Sequence, residues 1–145
     1  MKGTRMKIVF PTDGSPQSLA ALERLVPRLA WFPATTALAL INVHPQIAYG
    51  RAVAWAGRDA VHRYYDEGSS EALAPATALL GDRGVTYERI QRIGDPAIEI
   101  VRFAHEWGAD LIALGRHGHS AVATLLMGSV SQKVVATADL PVLLL

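Results

Sequence analysis

Two stretches of the chain carry residue types suited to holding an anion. The first, PTDGS (11–15), sets Asp13 and Gly14 in a tight turn ahead of Ser15. The second, GRHGHSAVATLLMGSVSQ (115–132), has three glycines and four hydroxyl residues in eighteen positions, with an uncharged apolar run between its second and third glycines. Glycine lets a backbone reach positive φ and approach phosphate oxygens closely. A helix start offers unpaired N–H groups and the positive end of the helix dipole. A carboxylate repels phosphate unless a cation intervenes. Asp13 therefore points either to a divalent cation or to a non-phosphate part of a ligand, such as a sugar hydroxyl.

Each feature has a plain structural alternative. Asp-Gly is ordinary turn chemistry. Ser129 and Gln132 form S-x-x-Q, a capping box that needs no ligand, and Gly128 suits the end of a helix over 120–127. His117 and His119 form an H-x-H pair, but two ligands do not define a metal site, and histidines that face solvent or phosphate compete with that reading. Arg116 is either a fixed positive charge near phosphates or a solvated loop residue. Neither G-x-x-x-x-G-K-[ST] nor G-x-G-x-x-G occurs in the chain, so the two commonest phosphate-loop patterns are excluded.

The elements that must position these residues alternate. KIVFPT (7–12), TALALINV (36–43), ADLIALG (109–115) and PVLLL (141–145) are short apolar runs that read as strands. VTYERIQRI (85–93) is more polar and reads as an edge strand. Between them, Ser15 and Pro16 begin a helix carrying Leu19, Leu22 and Leu29, with Pro27 expected to kink or shorten it. Asp95 and Pro96 begin another, with Ile98, Val101 and Trp107 on its apolar face, and SVSQKVVATA forms the last helix. Residues 44–58 read as a loop, and 59–80 as helical with interruptions at Gly68 and Pro75. The order β-α-β-α-β-α-β-α-β predicts one α/β domain over 1–145 with a parallel sheet, of which residues 1–5 are expected to be a short disordered extension. Ligands of such sheets bind beyond the carboxyl ends of the strands, at the point where strand order reverses. The 11–15 turn and the 115–132 stretch follow strands expected to be central, so they converge there.

Composition narrows the function. The chain has 145 residues, half of them hydrophobic, and a net charge of +1. It is expected to be globular. Its charges are scattered, which leaves no electrostatic footprint for nucleic acid. There is no cysteine, so disulfides, thiolate zinc and cysteine nucleophiles are excluded. No apolar run is long enough for a membrane span or a signal peptide, and a cytoplasmic protein is expected.

IVFPTDGSPQS, GDPAIEIVRFAHEWGADLIALGRHG and GSVSQKVVATADLPVLLL together resemble the universal stress protein family, in order and over nearly the whole chain. The sharpest match is G-x2-G-x9-G-[ST], met by Gly115, Gly118, Gly128 and Ser129; in the family this pattern marks the ATP-binding subgroup. The resemblance implies a Rossmann-like α/β fold whose open five-stranded parallel sheet, in order 3-2-1-4-5, has helices on both faces. It implies ATP as ligand, with Mg2+ or Mn2+ reaching Asp13 through the phosphates. It places Pro11, Thr12 and Asp13 near the ribose and metal-bound phosphates, and the Val43 backbone at adenine. Gly115, Arg116, Gly118 and His119 form the first part of the phosphate and ribose loop. Gly128, Ser129, Val130 and Ser131 hold the phosphates. It implies a homodimer through the final strand, 141–145. The segment 44–83 has no family signature. The function expected is a nucleotide-dependent regulatory module of the stress response. The alternatives are a slow ATP hydrolase or nucleotidyl transferase, for which no base or water-positioning group stands out, and an interaction module that binds no nucleotide.

Overall fold

A computed structural model of the chain describes residues 5–117 and 127–145. Residues 1–4 of the expected extension therefore lie outside the described residues. So do Gly118, His119 and the apolar run 121–126.

Five strands, β1 (Lys7–Pro11), β2 (Ala37–His44), β3 (Glu88–Ile93), β4 (Leu111–Leu114) and β5 (Val142–Leu144), form one all-parallel sheet in the order β3-β2-β1-β4-β5. Side chains alternate across a strand, and both faces of this sheet are covered. Ile8, Phe10, Leu38 and Leu40 turn toward α1 (Pro16–Arg28) and α3 (Arg58–Asp82), where they meet Leu22, Leu25, Leu73 and Leu80. Val9, Ala39, Ile41 and Ile112 turn the other way, toward α4 (Pro96–Trp107) and α5 (Ser129–Thr137), and meet Ile100, Phe103 and Val134. This is why β1, β2 and β4 read as unbroken apolar runs. Each large side chain buried in these layers contributes roughly 1.5–3 kcal/mol. β3 lies at the edge with mostly exposed side chains, as its polar sequence predicts.

Two helix starts form as their sequences dictate. Ser15 Oγ accepts from Ser18 N and Asp95 Oδ1 from Ile98 N, each ahead of a proline at the first helical position. Pro27 lies in the last turn of α1, which ends at Arg28.

Four expectations are corrected. Residues 49–56 are not loop but a short helix, α2 (Tyr49–Ala56), which packs on α3. α3 runs unbroken through Gly68 and Pro75, because burial of Val61, Tyr65, Leu73, Ala76 and Leu80 along one stripe outweighs the hydrogen bond that proline removes. The buried face of α4 is Ala97, Ile100, Phe103 and Ala104; Val101 and Trp107 pack against it as expected, whereas Ile98 is exposed. The expected capping box at Ser129 is also absent. α5 is N-capped by Gly128 with no side-chain bond, Ser129 is its first residue, and Gln132 Nε2 donates to the Met127 carbonyl. Gly128 already has the extended backbone of a cap, so the helix starts one residue beyond it.

Candidate functional site

At the carboxyl ends of β1, β2 and β4 the loops part to different faces of the sheet and leave a crevice of about 370 Å³. That volume lies in the range of small-ligand sites.

The turn after β1 is rigid. Thr12 N donates to the Ile41 carbonyl at 2.9 Å, which ties the tip of β1 to β2. Thr12 Oγ1 accepts from the Ser18 hydroxyl at 2.9 Å and from Gly14 N at 3.2 Å. Asp13 Oδ1 accepts from Ser15 N at 2.9 Å, so the carboxylate is oriented by its own turn. Gly14 has a φ of 79°, and a Cβ there would stand 2.8 Å from Ala72 Cα of α3. Glycine is needed here both for the turn and for the close approach of two backbones.

The exit from β4 and the start of α5 are stitched together. Ser131 Oγ donates to the Gly115 carbonyl at 2.7 Å, and Gly128 N donates to the Arg116 carbonyl. A Cβ on Gly115 would come within 3.1 Å of Ala21 Cβ, so this glycine lets the loop sit close against α1. Three helix starts line the crevice. Those of α1 and α4 are capped by Ser15 and Asp95, while α5 begins without a side-chain cap. The N–H groups of its first turn have no acceptor inside the helix, and the residues Gly128, Ser129, Val130 and Ser131 line the crevice. The result is a site with a polar anion-binding end and an apolar slot between Pro11, Ile41, Val43, Ala72 and Ile100.

Nine of the twelve residues singled out in the sequence line this crevice: Pro11, Thr12, Asp13, Val43, Gly115, Gly128, Ser129, Val130 and Ser131. Arg116 is exposed and is not in the lining. Gly118 and His119 lie outside the described residues. Among the described residues no cluster of three His, Asp or Glu side chains could hold a metal ion, and no helix is long and apolar enough to cross a membrane.

The structure adds residues that the sequence did not reveal. Asn42, His44 and Pro45 at the end of β2, and Gly68 and Ala72 of α3, complete the wall. His44 Nδ1 faces the Pro45 carbonyl at 2.9 Å, so that nitrogen carries the proton. Its ring meets Tyr64 and Tyr65 edge-on, with centroids 5.1 and 5.2 Å away. Gly68 makes room for it: a Cβ there would lie 2.9 Å from the imidazole. Within α3 this glycine was the available signal, since a mid-helix glycine often marks a close approach.

Comparison with known proteins gives the arrangement a context. The family model described as the universal stress protein family matches residues 4–145. A universal stress protein of Methanocaldococcus jannaschii, MJ0531, is 33% identical over 138 residues, which cover 94% of this chain and 79% of that protein. Further curated relatives align over about half of their own length or less. Among solved structures, MJ0577, also from M. jannaschii, superposes with a TM-score of 0.77 at 26% identity, covering 99% of this chain and 96% of that one. A universal stress protein solved in complex with cAMP gives a TM-score of 0.60 at 27% identity, covering 99% and 98%.

Proposed function

This chain belongs to the universal stress protein family, and we propose that it is an ATP-binding member that acts as a nucleotide-dependent regulatory module. The observation that carries this reading is the uncapped start of α5, open to the same crevice as Asp13 and Val43. An anion with several oxygens can take the free N–H groups there, and the dipole end favours its charge. The family member solved with cAMP supports an adenine nucleotide as occupant.

In this reading the phosphates lie on Gly128–Ser131, the ribose near Asp13, and the base along the backbone at Val43. A single carboxylate among the described lining residues suits a Mg2+ or Mn2+ ion that arrives with the nucleotide, because such an ion takes most of its ligands from phosphate and water. The residues fit holding a nucleotide better than turning it over. The Ser131 hydroxyl donates to Gly115 and the Ser18 hydroxyl to Thr12, so each serves the protein's own scaffold. The ribose hydroxyls are donors that the Asp13 carboxylate can accept. We also propose a homodimer that pairs the final strands, supported by the position of β5 at the edge of the sheet, where among the described residues it pairs with β4 alone.

Isothermal titration calorimetry with Mg-ATP tests the central claim, together with analysis of the nucleotide released when the purified protein is denatured. Saturable binding is expected. No heat at millimolar ATP and no released adenine nucleotide would sink it.

A further inference from the structure

The chain leaves the crevice wall at Pro45 and runs into α2, an eight-residue helix. This helix is weakly fastened. It has no side-chain cap at its start, its best covered described side chains, Ala52 and Val53, are only half-buried, and it packs on α3. A helix of this length is marginal on its own. Arg51, Ala54 and Trp55 share one face at helical spacing, and all three are exposed. Trp55 is 91% exposed, and no large hydrophobic side chain among the described residues is more so. Trp31 is also exposed, but the Arg28 guanidinium lies over its ring at 5.5 Å. The Trp55 ring meets no aromatic or cationic partner among the described residues. Charge is equally one-sided. Between His44 and Asp59 the chain has two arginines, Arg51 and Arg58, and no carboxylate. Both are exposed, and neither forms an ion pair among the described residues, not even with Asp59.

We propose that α2 is a docking face for an anionic lipid surface, with Trp55 seated among the headgroups and Arg51 and Arg58 against their phosphates. An indole has an apolar body and a polar N–H, and it settles at the boundary between lipid and water. The helix is far too short to cross a bilayer; it lies on one. Two arginines without a partner in the protein supply the electrostatic attraction. A protein partner fits less well. An eight-residue helix is about 12 Å long, a small part of the roughly 800 Å² that each side of a stable complex buries. From Ile47 to Ala56 the only polar side chains are Tyr49 and Arg51, which leaves little to fix a register by directional hydrogen bonds. A fluid lipid interface demands neither register nor matched shape. Nucleic acid would call for a denser basic patch. The inference is independent of the nucleotide reading of the crevice.

The test is co-sedimentation of the full chain with vesicles of phosphatidylcholine alone, or of equal parts phosphatidylcholine and phosphatidylglycerol, at low salt. Binding to the mixed vesicles is expected, about tenfold or more tighter than to the neutral ones, and it should weaken as salt is raised. Trp55→Ala should lower the affinity about tenfold, and Arg51→Gln combined with Arg58→Gln about thirtyfold. Trp31→Phe should bind like the wild type. Because Trp107 is half-buried, the emission of that variant reports chiefly on Trp55 and should shift to the blue on the mixed vesicles. Mixed vesicles that capture no protein overturn the proposal. So does equal capture by neutral vesicles, or a folded Trp55→Ala protein that binds undiminished. Self-association without lipid, seen in sedimentation velocity and abolished by Trp55→Ala, assigns the face to a second copy and overturns it as well. If Trp55→Ala does not fold, the emission of Trp31→Phe decides, and captured protein with an unshifted spectrum overturns the proposal.

Discussion

Gly128 offers a perturbation whose effects on stability and on binding should have opposite signs. It caps α5 with φ −72° and ψ 166° and provides no side-chain acceptor. That backbone is extended, so a substituted residue adopts it without strain. Gly128→Asp would give α5 the carboxylate cap that Asp95 gives α4. A better cap adds a few tenths of a kcal/mol over glycine, and a negative charge on the first turn adds about 0.3–1 kcal/mol. A net gain of roughly 1 kcal/mol raises the Tm of a chain this size by about 2–4 °C. The same carboxylate occupies the N–H groups assigned to the phosphates. At about 4 Å, like charges repel by roughly 1 kcal/mol in bulk water and 4 at an effective dielectric of 20. Mg-ATP affinity should therefore fall by about fivefold to nearly a thousandfold. Gly128→Asn, nearly the same size and also a good cap, separates charge from bulk: it should lose distinctly less affinity. Differential scanning calorimetry and titration calorimetry on the three proteins give both signs. A Gly128→Asp protein that binds Mg-ATP as well as the wild type would show that the start of α5 is not the phosphate cradle.

Gly14→Ala should cost about 2–4 kcal/mol in denaturant unfolding. Its positive φ of 79° strains any Cβ, and that Cβ would stand 2.8 Å from the α3 backbone at Ala72. Gly84→Ala is the control, since Gly84 has a φ of 65° but open space around it and should cost only about 1–2 kcal/mol; equal losses would refute the close-approach argument. Ser131→Ala removes the donor to the Gly115 carbonyl. It should lower stability by about 1–2 kcal/mol and also weaken Mg-ATP binding, because the two halves of the cradle are no longer stitched. A variant that keeps wild-type affinity would confine that bond to stability.

What the sequence made legible was local. Ser15-Pro16 and Asp95-Pro96 announce helix starts because cap and first residue are adjacent in the chain, and both caps form. The apolar runs of β1, β2 and β4 announce a sheet covered on both faces, because no other surroundings tolerate them. The illegible parts depend on distant partners. α2 has no side-chain cap and is held by packing on α3. Gly68 looked like a helix breaker because nothing nearby in sequence shows that the ring of His44 needs the space. Asn42 is a polar residue within the apolar run of β2, and its side-chain bond reaches Thr12, thirty residues away. Ser129 misled for a subtler reason. S-x-x-Q is a sound local rule, but Gly128 had already taken the capping role, and it gives the first turn of α5 no side-chain cap. The failure of the local rule and the candidate site therefore have one cause. Where a helix start declines the side-chain cap its own sequence offers, its first-turn N–H groups are available to a ligand, and here the residues that carry them line the crevice that the rest of the fold has shaped.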